Sequence, residues 1–275
     1  MTTVSVAQMV PSVELVGGIE IPQLGFDLYP VPPEETQRAV ELALEAGYRH
    51  FDTAAAYRNE EETGAALAAS GLSRQDYFVT TKLWCSQLDR GSAVETFEAS
   101  LERLGLDQVD LCLVFWPVET GGRFIEAWRA IERIHAEGAA RAIGVANFGI
   151  ADLELLEQKA ETPPVVNQVE FHPYSQEADL LAWQAERGIA TAAWSPLAQG
   201  ELLDEDPAIV RLAERYGKTP TQLILRWHLQ LGNVVVAGAA TPEGIRENID
   251  LFDFELSGEE LAAIGALDDN FAMLR

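Results

Sequence analysis

The stretch Val109-Asp110-Leu111-Cys112-Leu113-Val114-Phe115-Trp116 is a nearly unbroken apolar run, the composition of a strand covered on both faces. Ser92 to Leu104 reads as a helix before it. Arg123 to Ala136 reads as a helix after it, with Gly138 positioned to end that helix. A strand buried between two sequence-adjacent helices belongs to a parallel sheet, whose strands need crossover connections. Working toward the N-terminus, the pattern gives strand Tyr77 to Trp84, helix Glu60 to Ser70, strand Tyr48 to Asp52, helix Pro33 to Ala46 and a short strand Gln23 to Leu28. Working toward the C-terminus, strands Ala142 to Ala146, Val165 to Glu170, Ala190 to Trp194 and Val234 to Val236 alternate with helices. Those helices are Ile150 to Lys159, Ala178 to Arg187, Pro207 to Tyr216 and Pro220 to Leu229, followed by Pro242 to Asn248 and Gly258 to Ala266.

Ahead of the first unit, Val13-Glu14-Leu15-Val16 and Ile19-Glu20-Ile21 flank Gly17-Gly18, a hairpin signature with a two-residue turn. Eight strand–helix units behind a hairpin in 275 residues are the arithmetic of an α/β protein of the (β/α)8 TIM-barrel class with an N-terminal β-hairpin cap. The rival, a doubly wound sheet, usually announces G-x-G-x-x-G after its first strand. Neither Gly17-Gly18 nor any other stretch supplies it. No proline-rich linker or shift of composition divides the chain, so residues 1–275 read as a single domain.

Hydrophobic residues make up 48% and charged residues 23%, which excludes disorder as the whole-chain answer. Lys and Arg number 19 against 44 Asp and Glu, a net charge of −25. Such a field repels phosphate backbones and anionic bilayers, so neither nucleic acid nor membrane is expected as a partner. No apolar run reaches the ~20 residues of a membrane span, and Met1 to Pro11 lacks the basic and apolar regions of a secretory signal. Two cysteines, Cys85 and Cys112, cannot build a disulfide framework or a four-thiolate zinc site, and such sparse use suits a cytoplasmic location. Oligomeric state is not legible.

In a barrel of this kind, side chains at the C-terminal ends of the strands face the site. Those ends give Asp27; Asp52 with Tyr57 just beyond it; Lys82 and Trp84; Phe115 and Trp116; Asn147; Gln168 and Glu170; and Trp194 with Ser195. Each has a plain structural reading: a capped loop, a half-buried ring, a solvated amine or, for Asp27, a surface-facing loop carboxylate. Taken together, Asp52, Tyr57 and Lys82 form an acid system. A phenol has an ordinary pKa of about 10, a nearby ammonium lowers it, and a carboxylate keeps that ammonium charged and aimed. Tyr57 is thus a candidate proton donor to a carbonyl oxygen. No His or Cys spacing suggests a metal site.

The run Gly47-Tyr48-Arg49-His50-Phe51-Asp52-Thr53-Ala54-Ala55-Ala56-Tyr57-Arg58-Asn59-Glu60 resembles the signature of the aldo-keto reductase family. So do Thr80-Thr81-Lys82-Leu83-Trp84, Ile143-Gly144-Val145-Ala146-Asn147-Phe148, Val166-Asn167-Gln168-Val169-Glu170-Phe171-His172-Pro173-Tyr174, and Glu247-Asn248 with Phe252-Asp253-Phe254-Glu255-Leu256. The resemblance runs from about residue 12 to about residue 267 and is greatest to the bacterial 2,5-diketogluconate reductase-like branch. It implies a (β/α)8 barrel in which NADPH lies extended across the mouth and gives hydride to a small-molecule carbonyl. Tyr57 is then the acid, tuned by Lys82 and Asp52. Asn147 and Gln168 hold the nicotinamide carboxamide, and Trp194 stacks on its ring. Ser195 and Leu197 line the pyrophosphate, and Glu247 and Asn248 the adenine. The substrate pocket takes in Asp27, Trp84, Phe115 and Trp116, closed by loops around Ser86 to Gly91 and Glu119 to Phe124.

Six positions depart from the family pattern. Phe115 stands in Leu113-Val114-Phe115-Trp116-Pro117 where a His is usual, removing a hydrogen-bond donor to the carbonyl oxygen; one such donor is worth ~3 kcal/mol in a transition state. Gly238, Ala239 and Gly244 stand where a Lys-Ser pair and an Arg usually meet the cofactor's 2′-phosphate. Charge-assisted bonds of that kind are worth about 1.5–3 kcal/mol each. Ala146 replaces a Ser beside the carboxamide, and Asp27 replaces the second Gly of Leu-Gly-x-Gly.

Three readings stand. The first is an NAD(P)H-dependent carbonyl reductase with NADH favoured over NADPH. The second is a redox-silent enzyme on the same barrel, a dehydratase, isomerase or cyclase using Asp27, Asp52, Tyr57 and Lys82 with no nicotinamide. There Asp27 and Asp52, at the ends of adjacent strands, push their pKa values apart. The third is a non-catalytic binding protein.

Overall fold

The computed structural model describes residues 10–84, 93–115, 124–198, 203 and 205–269. Eight parallel strands close into a barrel: β3 (Leu24–Asp27), β4 (His50–Asp52), β5 (Phe78–Trp84), β6 (Val109–Phe115), β7 (Ala140–Ala146), β8 (Val166–Glu170), β9 (Ala190–Trp194) and β10 (Val234–Ala237), with β10 pairing back onto β3. The helices are α1 (Pro33–Ala46), α2 (Glu60–Ala69), α3 (Ala93–Leu104), α4 (Phe124–Ala136), α5 (Ile150–Lys159), α6 (Ala178–Glu186), α7 (Pro207–Tyr216), α8 (Pro220–Gln230), α9 (Pro242–Glu247) and α10 (Gly258–Gly265). The expected barrel class and its hairpin are borne out.

The hairpin differs in its turn. Strands β1 (Ser12–Leu15) and β2 (Ile19–Pro22) pair Leu15 with Ile19, so three residues, Val16-Gly17-Gly18, make the connection instead of two. Gly17 and Gly18 both hold positive φ, at +97° and +77°, which only glycine adopts cheaply. β7 begins two residues earlier than the apolar pattern suggests, because Ala140 pairs with Val109 of β6. Alanine has little strand preference of its own, so that boundary is set by the neighbouring strand.

Local chemistry fixes several helix starts. Thr219 and Gln222 form a reciprocal capping box at α8, Ser257 and Glu260 do so at α10, and Asp206 accepts from the backbone N–H groups of Ala208 and Ile209 at α7. A large apolar layer fills the space between barrel and helices, with Phe26, Tyr48, Phe51, Phe97, Trp128 and Trp227 fully buried. Burial of each such side chain contributes roughly 1.5–3 kcal/mol. A smaller cluster fills the barrel interior. There Phe78, Leu111, Leu113, Val166 and Val234 pack with Leu15 and Ile21 of the hairpin, which therefore plugs the N-terminal end. Polar ties brace that end. The buried Asp110 carboxylate accepts from Arg74 at 2.6 Å, Arg141 at 2.7 Å and the Val79 N–H at 2.8 Å.

Candidate active site

Asp52 is the last residue of β4, and the chain then makes one turn of 3-10 helix, Ala55–Tyr57, that ends at Arg58 in the left-handed region at φ +59°. Asn59, fully buried, locks this turn. Its Oδ1 accepts from the Thr53 hydroxyl at 2.8 Å, and its amide donates to the Leu28 carbonyl at 2.9 Å. The turn is thereby fixed both to its own strand and to the loop after β3. Lys82 of β5 reaches the same point. Its ammonium donates to Asp52 Oδ1, to the Tyr57 hydroxyl at 3.1 Å and to the Thr53 carbonyl at 3.5 Å. The second Asp52 oxygen accepts from Gln168 Nε2 at 2.8 Å. Asp52, Tyr57, Lys82 and Gln168, four of the residues singled out from sequence, therefore form one hydrogen-bonded group.

The electrostatics differ in one respect from the expectation that Lys82 lowers the Tyr57 pKa. Burial is the larger influence and raises it. Lys82 pulls the other way without prevailing, so the phenol sits above its ordinary value. Burial likewise acts against the Lys82 ammonium, but the charges of Asp52, Tyr57 and Asp27 more than offset it and the amine also titrates above its usual range.

Asp27 ends β3 and is the register partner of Asp52 on β4. Its Oδ1 accepts from the Tyr29 N–H at 3.0 Å. The reading of Asp27 as a surface-facing loop carboxylate is corrected: the group is part-buried beside the Asp52 and Lys82 charges. Burial first, then the Asp52 charge, push it up to about 7, against the pull of Lys82 and the Tyr29 N–H.

On the opposite side of the rim, Asn147 follows β7 with a left-handed backbone at φ +60°. Its N–H donates to the Gln168 carbonyl at 2.8 Å and its Oδ1 accepts from Trp194 Nε1 at 2.7 Å. Its amide nitrogen Nδ2 is buried with no hydrogen-bond partner among the described residues. Ser195 and Ala198, at φ +49° and +46°, are likewise strained for non-glycine residues, and Leu197 between them packs on the main core. Strain of this kind concentrates at ligand sites.

Aromatic rings line the rim. Trp84, 36% exposed, meets Phe115 edge-on with ring centroids 5.0 Å apart. Tyr29, 71% exposed, meets Tyr57 edge-on at 5.2 Å. Phe115 pairs in register with Trp84 on one side and Ala146 on the other. Trp116 and the loops 86–91 and 119–123 lie outside the described residues. Glu170 at the end of β8 meets His172 Nε2 at 3.1 Å.

Beyond β10, Glu247 accepts from the Thr219 hydroxyl at 2.6 Å, tying it to the cap of α8, and buried Asn248 donates to the Gly238 carbonyl at 3.4 Å. A Cβ at Gly238 would stand 2.5 Å from Pro30 Cγ and 3.0 Å from the Asp27 carbonyl, so the turn after β3 occupies the space a side chain at 238 needs. Sequence reasoning gave no role to Thr53, Asn59 or Tyr29. Thr53 and Asn59 flank Tyr57 in the quoted run, where their polarity is visible but their burial is not. Among the described residues no cluster of three or more His, Cys, Asp or Glu could hold a metal ion, and Cys112 is buried and unpaired.

A family model described as the aldo/keto reductase family matches residues 17–269. The chain is 45% identical over 261 residues to the methylglyoxal reductase DkgA of Yersinia pestis, covering 94% of each. A crystal structure of an aldo/keto reductase from Brucella melitensis superposes with a TM-score of 0.89 at 46% identity, over 94% of this chain and 100% of that one. The Bombyx mori aldo-keto reductase solved in complex with NADP superposes with a TM-score of 0.88 at 34% identity, over 97% and 95%. The chain belongs to the aldo/keto reductase family. No helix among the described residues is long and apolar enough to cross a membrane.

Proposed function

We propose that this chain, acting as one domain, reduces a small carbonyl compound with a nicotinamide cofactor, NADH in preference to NADPH, and that Tyr57 is the proton donor. The observation that carries the reading is the Asp52–Lys82–Tyr57 chain of hydrogen bonds at the C-terminal rim of the strands. A phenol that is fully protonated at neutral pH is able to donate. The adjacent ammonium favours the phenolate that donation leaves behind. The Gln168 bond to Asp52 keeps that carboxylate from turning away from Lys82.

The residues present suit the nicotinamide end of the cofactor. Asn147 Nδ2 is a buried donor without a partner among the described residues, and such groups are normally satisfied. A carboxamide oxygen there would satisfy it. Asn147 and Gln168 would hold that carboxamide, with Trp194 stacked beside it and Ser195 and Leu197 along the pyrophosphate; Glu247 and Asn248 would flank the adenine. When bound, the nicotinamide supplies the hydride. At the other end the residues favour the cofactor without a 2′-phosphate. Gly238 has no room for a side chain, Ala239 and Gly244 carry no charge, and a net charge of −25 opposes an added phosphate.

Trp84, Phe115 and Tyr29 give the carbonyl compound an apolar aromatic setting. Asp27 and, by resemblance, Trp116 complete the pocket. Methylglyoxal, the compound in the name of the Yersinia pestis relative, is the first substrate to try. A cytoplasmic site of action fits a cofactor-dependent reductase with two cysteines. The test is oxidation of NADH and of NADPH on adding methylglyoxal to the native chain and to Tyr57→Phe. Turnover with NADH that the variant loses supports the reading, and equal rates for the two chains contradict it.

A further inference from the structure

We propose that Asp27 gives this mouth a second reaction that needs no nicotinamide: reversible enolisation of a carbonyl compound that carries a hydrogen on the adjacent carbon, with Asp27 as the base and Tyr57 as the acid. Four ionisable groups stand on three adjacent strands of the rim: Asp52, Tyr57 and Lys82, joined by hydrogen bonds, from β4, its turn and β5, and Asp27 from β3, in register with Asp52. Only one carboxylate is needed to hold Lys82, and Asp52 does so while its other oxygen is taken by Gln168. Asp27 stands level with Asp52 on the neighbouring strand, and its hydrogen bond among the described residues is the one from its own loop, the Tyr29 N–H to Oδ1. It duplicates no structural bond of Asp52 and stays part-exposed at the rim.

Two carboxylates at paired positions of neighbouring strands repel, so one is displaced upward. Asp27 is that one, poised at about 7, where a carboxylate both takes and returns a proton near neutral pH. Its neighbour Tyr57 is displaced in the direction that keeps it an acid. Among the described residues, the charged and titratable groups facing Asp27 are Asp52, Lys82 and Tyr57. On the β10 side the neighbour is Gly238, which carries no charge; a Cβ there would meet the Asp27 carbonyl at 3.0 Å.

The reaction balances without an oxidant. Asp27 removes the proton from the carbon next to the carbonyl, and the C–H electron pair becomes the new C=C bond. The carbonyl π pair takes the proton of Tyr57 and becomes a hydroxyl. Collapse of the enol returns the hydroxyl proton to Tyr57, and the carbon regains a proton from Asp27. On an α-hydroxyketone, return to the same carbon regenerates the ketone; delivery of the Asp27 proton to the former carbonyl carbon, with the proton of the other enediol hydroxyl passing to the Tyr57 phenolate, yields the isomeric aldehyde.

This inference shares one element with the proposed reductase, the seating of a carbonyl oxygen at Tyr57. The test is proton NMR of dihydroxyacetone in deuterated buffer with the native chain and no nicotinamide, compared with Asp27→Asn, Asp27→Glu and Tyr57→Phe. Asp27→Asn retains an acceptor for the Tyr29 N–H, and circular dichroism checks its fold. The expected result is loss of the carbon-bound proton signal at least about 10-fold faster with the native chain than with Asp27→Asn or Tyr57→Phe. Partial rescue by Asp27→Glu and a rate that rises with pH through about 7 are also expected. Equal exchange by native chain and Asp27→Asn, or native exchange no faster than buffer, overturns the proposal. Exchange without NADH oxidation would separate this activity from a failure of the reductase reading; NADH oxidation without exchange would retain the reductase and reject Asp27 as a base.

Discussion

Gln168 reaches across the mouth of the barrel to Asp52: its Nε2 donates to Asp52 Oδ2 at 2.8 Å and joins β8 to β4, strands that face each other across the closed sheet. Both oxygens of a buried carboxylate are therefore engaged, one by a cation and one by a neutral amide. Replacing Gln168 with Leu leaves one oxygen without its donor, a change worth about 1–3 kcal/mol. Denaturant unfolding is expected to show a midpoint shift of that size. Gln168→Glu, which sets a second carboxylate against Asp52, is expected to lose more. Equal midpoints for the native chain and Gln168→Leu would mean that the bond contributes nothing to stability.

Tyr57→Phe removes the hydroxyl and keeps the ring that Tyr29 packs against. Carbonyl reduction is expected to fall by about 10²- to 10⁴-fold, the usual contribution of a positioned acid, with NADH affinity retained. Steady-state rates and a binding titration on the same preparation separate the two effects.

Phe115 offers no hydrogen bond to a carbonyl oxygen, and it sits beside Trp84 at the rim. Phe115→His is expected to raise kcat for carbonyl reduction by at least about 10-fold, part of the 10²–10³ one oriented donor can supply. Measurement of kcat and KM for both chains checks this; an unchanged kcat would mean that the imidazole does not reach the substrate oxygen.

The barrel was legible because its signal is periodic. Strands such as β6 are apolar on both faces and recur at the spacing of crossover helices. Asp52, Tyr57 and Lys82 were legible because strand ends are where a barrel places its chemistry. What the residues alone did not reveal is geometric. The hairpin turn gained a residue because the pairing of Leu15 with Ile19 leaves three residues to connect them. The orientation of Asp27 depends on the register of β3 with β4, which no local pattern encodes. Gly238 looked like a lost phosphate anchor. Its crowding by Pro30, some two hundred residues earlier in sequence, could be seen only once β10 closed on β3. The direction of the Tyr57 shift was misjudged because burial, the larger influence, cannot be read from neighbours in sequence.

Asp27 also makes stability depend on pH in a defined sense. Its carboxyl is raised in the folded chain from 3.8 to about 7, so the folded state binds the proton more tightly than the unfolded state. That contribution is fully present below about 4 and is lost as pH rises through about 7. Asp27→Asn, which cannot ionise, is expected to match or fall below the native chain in acid and to exceed it above neutrality. Thermal melts from pH 5 to pH 8 read the difference; parallel melting curves for the two chains would show that Asp27 does not change its protonation on folding.

On the proposed function, the rim binds a nicotinamide cofactor and prefers the one without a 2′-phosphate. Titration of the native chain with NADH and with NADPH, followed by tryptophan fluorescence and by calorimetry, tests it most directly. The expected result is micromolar NADH binding, NADPH binding at least about 10-fold weaker, consistent with missing charge-assisted bonds, and loss of the NADH signal in Asn147→Ala. Tighter binding of NADPH than of NADH would contradict the preference, and no binding of either at millimolar concentration would contradict the reductase itself.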